Sequence, residues 1–361
     1  AISFNKFDEY QLAKYNRDGA VTLKDALFLV HPKAKDEVQQ VLFNKIVTDS
    51  MQTPYTWETE LSQLGQQKFN NDAEKQKAFT NKWEELIDSN KMGYMALLRN
   101  LRNIMEADVS GLHMEKVCHY LANEKAVSNS KQLPFRFLSA YRELNGLKSK
   151  YASMVLDALE GAVLTSASNI KGFDVNTSVV IACDVSGSMQ QPISQKSKIL
   201  LYDIGLMLGM LMQSRCRNVV SGMFGDRWKI INMPKRSILN NVNEYYKREG
   251  EVGYATNGHL VLEDLIARRT IVDKVMLFTD VQMWNSSHTN DTFSGSWSRY
   301  KRIAPDAKLY LFDLAGYGKQ PIDIKKNDVY LIAGWSDKVF DVLHALEDRS
   351  NALNYINRIE L

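Results

Sequence analysis

The sequence predicts a two-part chain: an α-helical repeat region over residues 1–172, followed by a doubly wound α/β domain over residues 173–361. Three observations carry this reading. Through the first part, apolar residues recur at spacings of three and four with little strand signal. The composition changes around Asn169-Ile170-Lys171-Gly172-Phe173, after which short β-branched runs alternate with helical patterns, as in a parallel sheet with crossover helices. The first of those runs, Val179-Val180-Ile181-Ala182-Cys183, stops abruptly in Asp184-Val185-Ser186-Gly187-Ser188, at the place where an α/β sheet keeps its ligands. A length of 361 residues is long for one domain and comfortable for two.

In the first part, Leu23, Ala26, Leu27 and Val30 share one helical face. So do Val38, Val41, Leu42 and Ile46, and again Met95, Leu98, Leu101, Ile104 and Met105. Further helices are expected over 76–87, 114–121, 135–141 and 151–164, with Thr22, Asp36, Ser110 and Ser149 standing where N-caps belong. Turn signals such as Asp18-Gly19, His31-Pro32, Thr53-Pro54 and Asn145-Gly146 keep these helices short. Short antiparallel helices in series suggest a solenoid, although no clean sequence period is present.

In the second part, strands are expected at 178–184, 218–224, 227–231, 274–280, 308–314 and 328–332, with helices near 196–214, 259–267, 297–304 and 338–346. The runs 218–224 and 227–231 flank Gly225-Asp226 and read as a hairpin with an antiparallel edge strand. Gly205 and Gly209 lie within the first of these helices, where small residues permit close packing.

Composition excludes several classes. Hydrophobic content of 45% with 24% charged residues is ordinary globular composition. The longest apolar stretch, Ile199 to Met212, is interrupted by Tyr202, Asp203 and two glycines, so nothing in it is expected to span a membrane. The polar opening Ala1-Ile2-Ser3-Phe4-Asn5-Lys6 has no apolar core, so no signal peptide is expected. It has no initiator Met either, so the true beginning is expected to have been processed or to lie elsewhere. Cys118, Cys183 and Cys216 are unspaced and mostly in apolar surroundings, which points to a reducing, cytoplasmic compartment rather than a disulfide framework. His113, Cys118 and His119 lack a second ligand pair and fall on different helix faces, so they read as ordinary helix residues. A net charge of +3 does not identify a nucleic-acid binder by itself; any basic footprint must be local.

The chemistry concentrates at the strand ends. Asp184, Ser186 and Ser188 put three hard oxygens on one side of a turn, which suits Mg²⁺, Ca²⁺ or Mn²⁺ better than zinc. The same pattern also describes a Ser-rich turn whose Asp caps the next helix. A second run, Lys274 to Thr279, delivers Asp280 to a strand end, and the flexible loop Gly253-Tyr254-Ala255-Thr256-Asn257-Gly258 supplies a further hydroxyl. No positioned general base or phosphate-cradling loop accompanies these groups, so an enzyme is not expected.

Asp-x-Ser-x-Ser, a loop Thr and a strand-end Asp in this order resemble the metal-ion-dependent adhesion site of von Willebrand factor A domains, over roughly residues 174–361. The resemblance implies Asp184, Ser186, Ser188 and Thr256 as direct or near-direct ligands of Mg²⁺ (or Mn²⁺ or Ca²⁺), with Asp280 acting through water, and an open position for a partner's carboxylate. Upstream, Lys14-Tyr15-Asn16-Arg17-Asp18-Gly19 with Leu23-Lys24-Asp25-Ala26-Leu27-Phe28-Leu29-Val30-His31, then Ala96-Leu97-Leu98-Arg99-Asn100-Leu101, then Leu133-Pro134-Phe135-Arg136-Phe137-Leu138 resemble three segments of the Ro ribonucleoproteins, the family defined by the TROVE module. That resemblance covers nearly the whole chain. It implies HEAT-like helical repeats that form a ring, with the von Willebrand A domain behind them. Roughly half of such a ring precedes the Lys-Tyr segment; a shortened, open ring would leave an apolar helix face exposed at a cost, so the amino-terminal half is expected to be a separate polypeptide or a missing segment.

The resemblance also implies a function: binding of small noncoding Y-type RNAs and of the single-stranded 3′ ends of misfolded or defective RNAs, in RNA quality control or stress response. For a bacterial source it implies an exoribonuclease such as polynucleotide phosphorylase as partner. By motif position, Lys14, Arg17 and His31 match residues of the family that contact RNA. Arg99 and Arg102, one helical turn apart, and Arg136 and Arg142 within the basic segment that also holds Lys131, Lys148 and Lys150, are further candidates; each is equally compatible with a solvated surface. The alternative function is a metal-dependent protein-adhesion module whose helical region docks partners and touches no RNA.

Overall fold

The computed structural model describes residues 4, 6–15, 20–51, 55–132, 134–167, 176–193, 197, 199–216, 218–281, 293–317 and 328–334. The side chains of Tyr10, Lys14 and Tyr15 lie outside this set, as do Arg17, the 169–173 segment and the helix expected at 338–346. Two compact units divide the chain, Ala1–Val117 and Cys118–Leu361.

The first unit holds helices α1 (Glu9–Tyr15), α2 (Leu23–Val30), α3 (Glu37–Val47), α4 (Trp57–Gly65), α5 (Asp72–Asp88), α6 (Tyr94–Glu106) and the start of α7 (Gly111–Ala122). Caps set their beginnings. Thr22 and Asp25 form a reciprocal capping box, Asp36 accepts from the Gln39 N–H at 2.8 Å, and Asn71 caps α5 through the Glu74 N–H at 2.8 Å. Leu12, Leu27, Leu42, Phe43 and Ile46 join α1 to α3 in one apolar cluster. Trp83, Leu86, Leu97, Leu101 and Ile104 are buried along α5 and α6. Phe28, Leu29, Val38 and Val41 stay exposed, Leu29 at 86%, so α2 and α3 carry apolar residues that no described residue covers.

The second unit begins with the rest of α7, then α8 (Glu124–Ser130), α9 (Pro134–Leu144) and α10 (Ala152–Ala167). Six strands follow: β1 (Ser178–Asp184), β2 (Asn218–Phe224), β3 (Trp228–Ile230), β4 (Lys274–Thr279), β5 (Lys308–Asp313) and β6 (Val329–Ala333). They form one sheet in the order β3-β2-β1-β4-β5-β6, parallel except for the β2–β3 hairpin at the edge. Helices α11 (Leu201–Arg215), α12 (Ile238–Lys247), α13 (His259–Ala267) and α14 (Phe293–Ile303) are interspersed.

Alternation along β1 explains the two layers. Val180 and Ala182 point into a core with Val261, Leu265, Leu277, Trp297 and Leu309, under α13 and α14. Ile181 and Cys183 face the other way, onto α11. There a Cβ on Gly205 would sit 2.9 Å from the Phe278 Cβ, and one on Gly209 would sit 2.8 Å from the Ile181 Cγ2. Only glycine lets the helix lie this close to β1 and β4.

Helices α1, α4, α8 and α12 and the division between compact units depart from the sequence expectation. Helix α12 has no counterpart in it. Its start is held by Glu160 of α10, whose carboxylate accepts the N–H groups of Leu239 at 3.1 Å and Asn240 at 2.8 Å. The change from helix to strand falls between Ala167 and Ser178, beside the expected boundary, but the division between compact units falls at Val117, because α10 packs against α8, α9, α11 and α12. The last repeat helices thus share a unit with the sheet.

Candidate functional site

Strand order reverses around β1: the chain runs from β1 out to β2 and β3 on one side and returns to β4 on the other. The carboxyl ends of β1 and β4 therefore meet at the switch point of the sheet, the usual ligand crevice of such folds. Register places Cys183 opposite Phe278, so Asp184 ends beside Thr279 and Asp280.

Asp184 is 1% exposed. Its Oδ1 accepts the Ser186 N–H at 2.8 Å, and its Oδ2 accepts the Thr279 hydroxyl at 2.6 Å. Ser186 Oγ lies 3.2 Å from Ser188 Oγ, and the Met189 N–H returns to the Ser186 carbonyl at 3.0 Å, closing a short 3-10 turn over Gly187–Gln190. Burial pushes the Asp184 carboxyl up to about 7; the Asp280 charge adds to the rise, while the Thr279 and Ser186 hydrogen bonds oppose it. Both aspartates are buried, so their negative charges meet where water screens them little.

Thr256, 6% exposed, arrives on a loop fastened to the β2–β3 turn. The Asn257 N–H donates to the Gly225 carbonyl at 3.2 Å, the Arg227 N–H to the Val252 carbonyl at 3.1 Å, and the Ala255 N–H to Asp226 Oδ1 at 3.2 Å. The two backbones touch at Gly225 and Gly253: a Cβ on Gly225 would overlap the Gly253 carbonyl, and Gly253 has φ +75°. The loop glycine thus serves close approach as well as turning.

Two buried carboxylates with Ser and Thr hydroxyls, and no sulfur or imidazole among the candidate ligands, form a donor set suited to a hard divalent cation, which would also relieve the Asp184–Asp280 repulsion. Among the described residues no group of three His, Cys, Asp or Glu side chains stands where it could hold a metal ion, so the candidate site relies on hydroxyls beside its two carboxylates. Thr279 escaped the sequence reading; a hydroxyl just before the strand-end Asp was its only signal.

The candidate RNA residues separate. The Lys14 side chain and Arg17 lie outside the described residues. His31 is exposed and terminates α2 in the left-handed conformation at φ 45°, its N–H donating to the Leu27 carbonyl at 3.0 Å. Arg99, Arg102 and Arg136 are exposed; Arg102 pairs with Glu106 at 2.8 Å, and Arg136 lies 5.5 Å from the Phe135 ring centroid. Lys131, Lys148 and Lys150 are exposed as well. Arg142 requires a correction. Its two terminal nitrogens donate to the Asp203 carboxylate at 2.6 Å each, Nε donates to Asn243 Oδ1 at 3.2 Å, and the guanidinium lies 5.6 Å from the Tyr246 centroid. With its planar fork spent on a fully buried Asp, Arg142 joins α9 to α11 and is not a surface cation awaiting a phosphate.

Comparison with known proteins finds a TROVE domain over residues 50–179. Across 103 residues the chain is 41% identical to telomerase protein component 1 of Rattus norvegicus and 39% identical to that of Mus musculus, a stretch that covers 28% of this chain. It spans only 4% of the length of these curated relatives. The crystal structure of the Deinococcus radiodurans RO (RSR) protein matches with a TM-score of 0.57 at 18% identity, covering 95% of this chain and 74% of that one, which is a likeness of fold. A TROVE domain thus lies in the helical part of the chain, and the likeness of fold to the RO (RSR) protein runs along nearly its whole length.

Proposed function

We propose that this chain is a non-catalytic RNA-binding scaffold that takes small noncoding, Y-type RNAs and the 3′ ends of misfolded or defective RNAs, in RNA quality control or stress response. The observation that carries this reading is the TROVE domain, over and beside which Arg99, Lys131, Arg136, Lys148 and Lys150 stand exposed. Exposed cations suit phosphate contact with little base readout. Lys14, Arg17 and His31 join them by motif position. The relatives named as a telomerase protein component support a role as subunit of a larger assembly. The buried setting of Cys118, Cys183 and Cys216 favours a reducing cytoplasm. For a bacterial source an exoribonuclease such as polynucleotide phosphorylase is the expected partner.

The strand-end cluster serves a different partner in this proposal. Asp184, Ser186, Ser188 and Thr256 would hold Mg²⁺ (or Mn²⁺ or Ca²⁺), with Asp280 acting through water. The bound ion would supply an electrophilic position for a carboxylate on a partner protein.

Filter binding over a salt series, with a 3′-tailed and a blunt-ended RNA, tests the division of labour. Lys14→Ala with Arg17→Ala is expected to weaken binding of unrelated sequences and to reduce the salt slope by about one per lost phosphate contact, with the tailed RNA suffering more. Chelation is expected to leave RNA affinity nearly intact. Absence of salt-dependent RNA binding would favour the adhesion-module reading instead.

A further inference from the structure

The contacts of Arg142 lead, bond by bond, to the candidate metal loop. Arg142 Nη1 and Asp203 Oδ2 are 2.6 Å apart, and the same Oδ2 accepts the Leu200 N–H at 2.8 Å. Asp203 is the third residue of α11, so its charge also favours that helix start. The Leu201 N–H donates to the Gln191 carbonyl at 2.9 Å, and Pro192 pairs with Leu200 in an antiparallel bridge. Gln191 directly follows the 3-10 turn that carries Ser188. Below, Gly205 and Gly209 seat α11 against Phe278, Ile181 and Cys183, on the strands that end in Asp184 and lead to Asp280. Helix α11 therefore packs on both strands that lead to the candidate ligands.

We infer that Arg142, on a helix of the repeat region, is a positioning residue for the metal loop, so that the helical region sets the divalent-ion affinity of the α/β domain. The inference rests on the metal reading for its ion readout. A buried ion pair is a poor way to add stability alone, since packed apolar groups serve as well. What the bidentate pair adds is a fixed place for Asp203, and with it for Leu200, Gln191 and the Ser188 turn. Because α11 has no clearance over β1 and β4, loss of the fork is taken up at the start of the helix, where Leu200 and Leu201 hold Gln191 and the Ser188 turn.

The test uses the full chain with Arg142→Gln, Asp203→Asn and the double variant; Asn keeps an acceptor for the Leu200 N–H. In chelator, hydrogen exchange of the amides from Met189 to Leu201 is expected to accelerate about tenfold in each variant, a readout that needs no metal. Mg²⁺ titration calorimetry is expected to show a dissociation constant raised about tenfold, within the usual span of coupled sites. The double variant is expected to lose no more than the worse single, because both changes cut one tether. Variants that melt earlier yet keep wild-type Mg²⁺ affinity and wild-type exchange would show a purely structural pair and overturn the inference. If wild type binds no Mg²⁺, Mn²⁺ or Ca²⁺, the metal reading falls, and unchanged exchange would still overturn the tether independently. Should Arg142→Gln not fold, Arg142→Lys, which keeps the charge but not the fork, takes its place with the same criteria.

Discussion

Asp184→Asn is expected to stabilise the metal-free protein as pH rises, while removing its response to Mg²⁺. The Asp184 carboxyl is pushed up to about 7, against an ordinary value of about 3.9 in an unfolded chain. A group whose folded pKa is raised contributes stability that is fully present below the unfolded pKa and lost as pH rises through the folded one. Wild type therefore loses stability between about pH 4 and pH 7, at about 1.4 kcal/mol per pH unit. The Asn variant has no such charge to bury. Its exchange of hydrogen bonds with Ser186 and Thr279 shifts stability by about 1–3 kcal/mol in a pH-independent way. The pH-dependent difference between variant and wild type is then about 3 kcal/mol from pH 5 to pH 8, in favour of Asn. Urea denaturation in chelator, followed by circular dichroism at several pH values, measures it. With Mg²⁺ at a hundred times its dissociation constant, wild type should gain about 2.7 kcal/mol and the variant far less. A stability difference that does not change with pH would refute the buried-charge argument. An equal gain from Mg²⁺ in both proteins would refute the ligand assignment.

Gly253→Ala is expected to cost about 1–3 kcal/mol in thermal or urea unfolding, because an added Cβ overlaps the Asp226 carboxylate at φ +75°. The same change should weaken Mg²⁺ binding by displacing Thr256; unaltered stability and affinity would mean the loop is not held as described. Glu160→Ala should cost about 1–2 kcal/mol by leaving the Leu239 and Asn240 N–H groups without their carboxylate, readable as a lower unfolding midpoint. A variant as stable as wild type would show that α12 does not depend on α10 for its start.

Much of the architecture could be read from the chain because the relevant physics is local. Helix α13 spans His259 to Ala267 and β1 spans Ser178 to Asp184, as their apolar patterns and flanking polar residues require. Thr22 and Asp36 cap α2 and α3 because short oxygen-bearing side chains satisfy free N–H groups within one turn. Helix α12 was hidden because its start is capped by Glu160, some eighty residues earlier, rather than by a neighbour in sequence.

Asp184, Ser186 and Ser188 were recognisable as a group because a single residue separates each from the next and one turn gathers their oxygens. The sequence by itself thus determined the order of the strands, the glycines that let α11 lie on the sheet, and the residues that bring hard oxygens to the strand ends. Tertiary structure alone decided what those groups face. It set Thr279 against Asp184 across β1 and β4, a hydrogen bond between residues 95 positions apart that raises no local signal. It also turned Arg142 inward onto Asp203, 61 positions away, although the other cations of its basic segment, Lys131, Arg136, Lys148 and Lys150, are exposed. Charge and periodicity are properties of a segment, whereas the partner of a charge depends on which segments the fold brings together. An arginine on a helix is therefore surface or anchor only once the opposing carboxylate is in place.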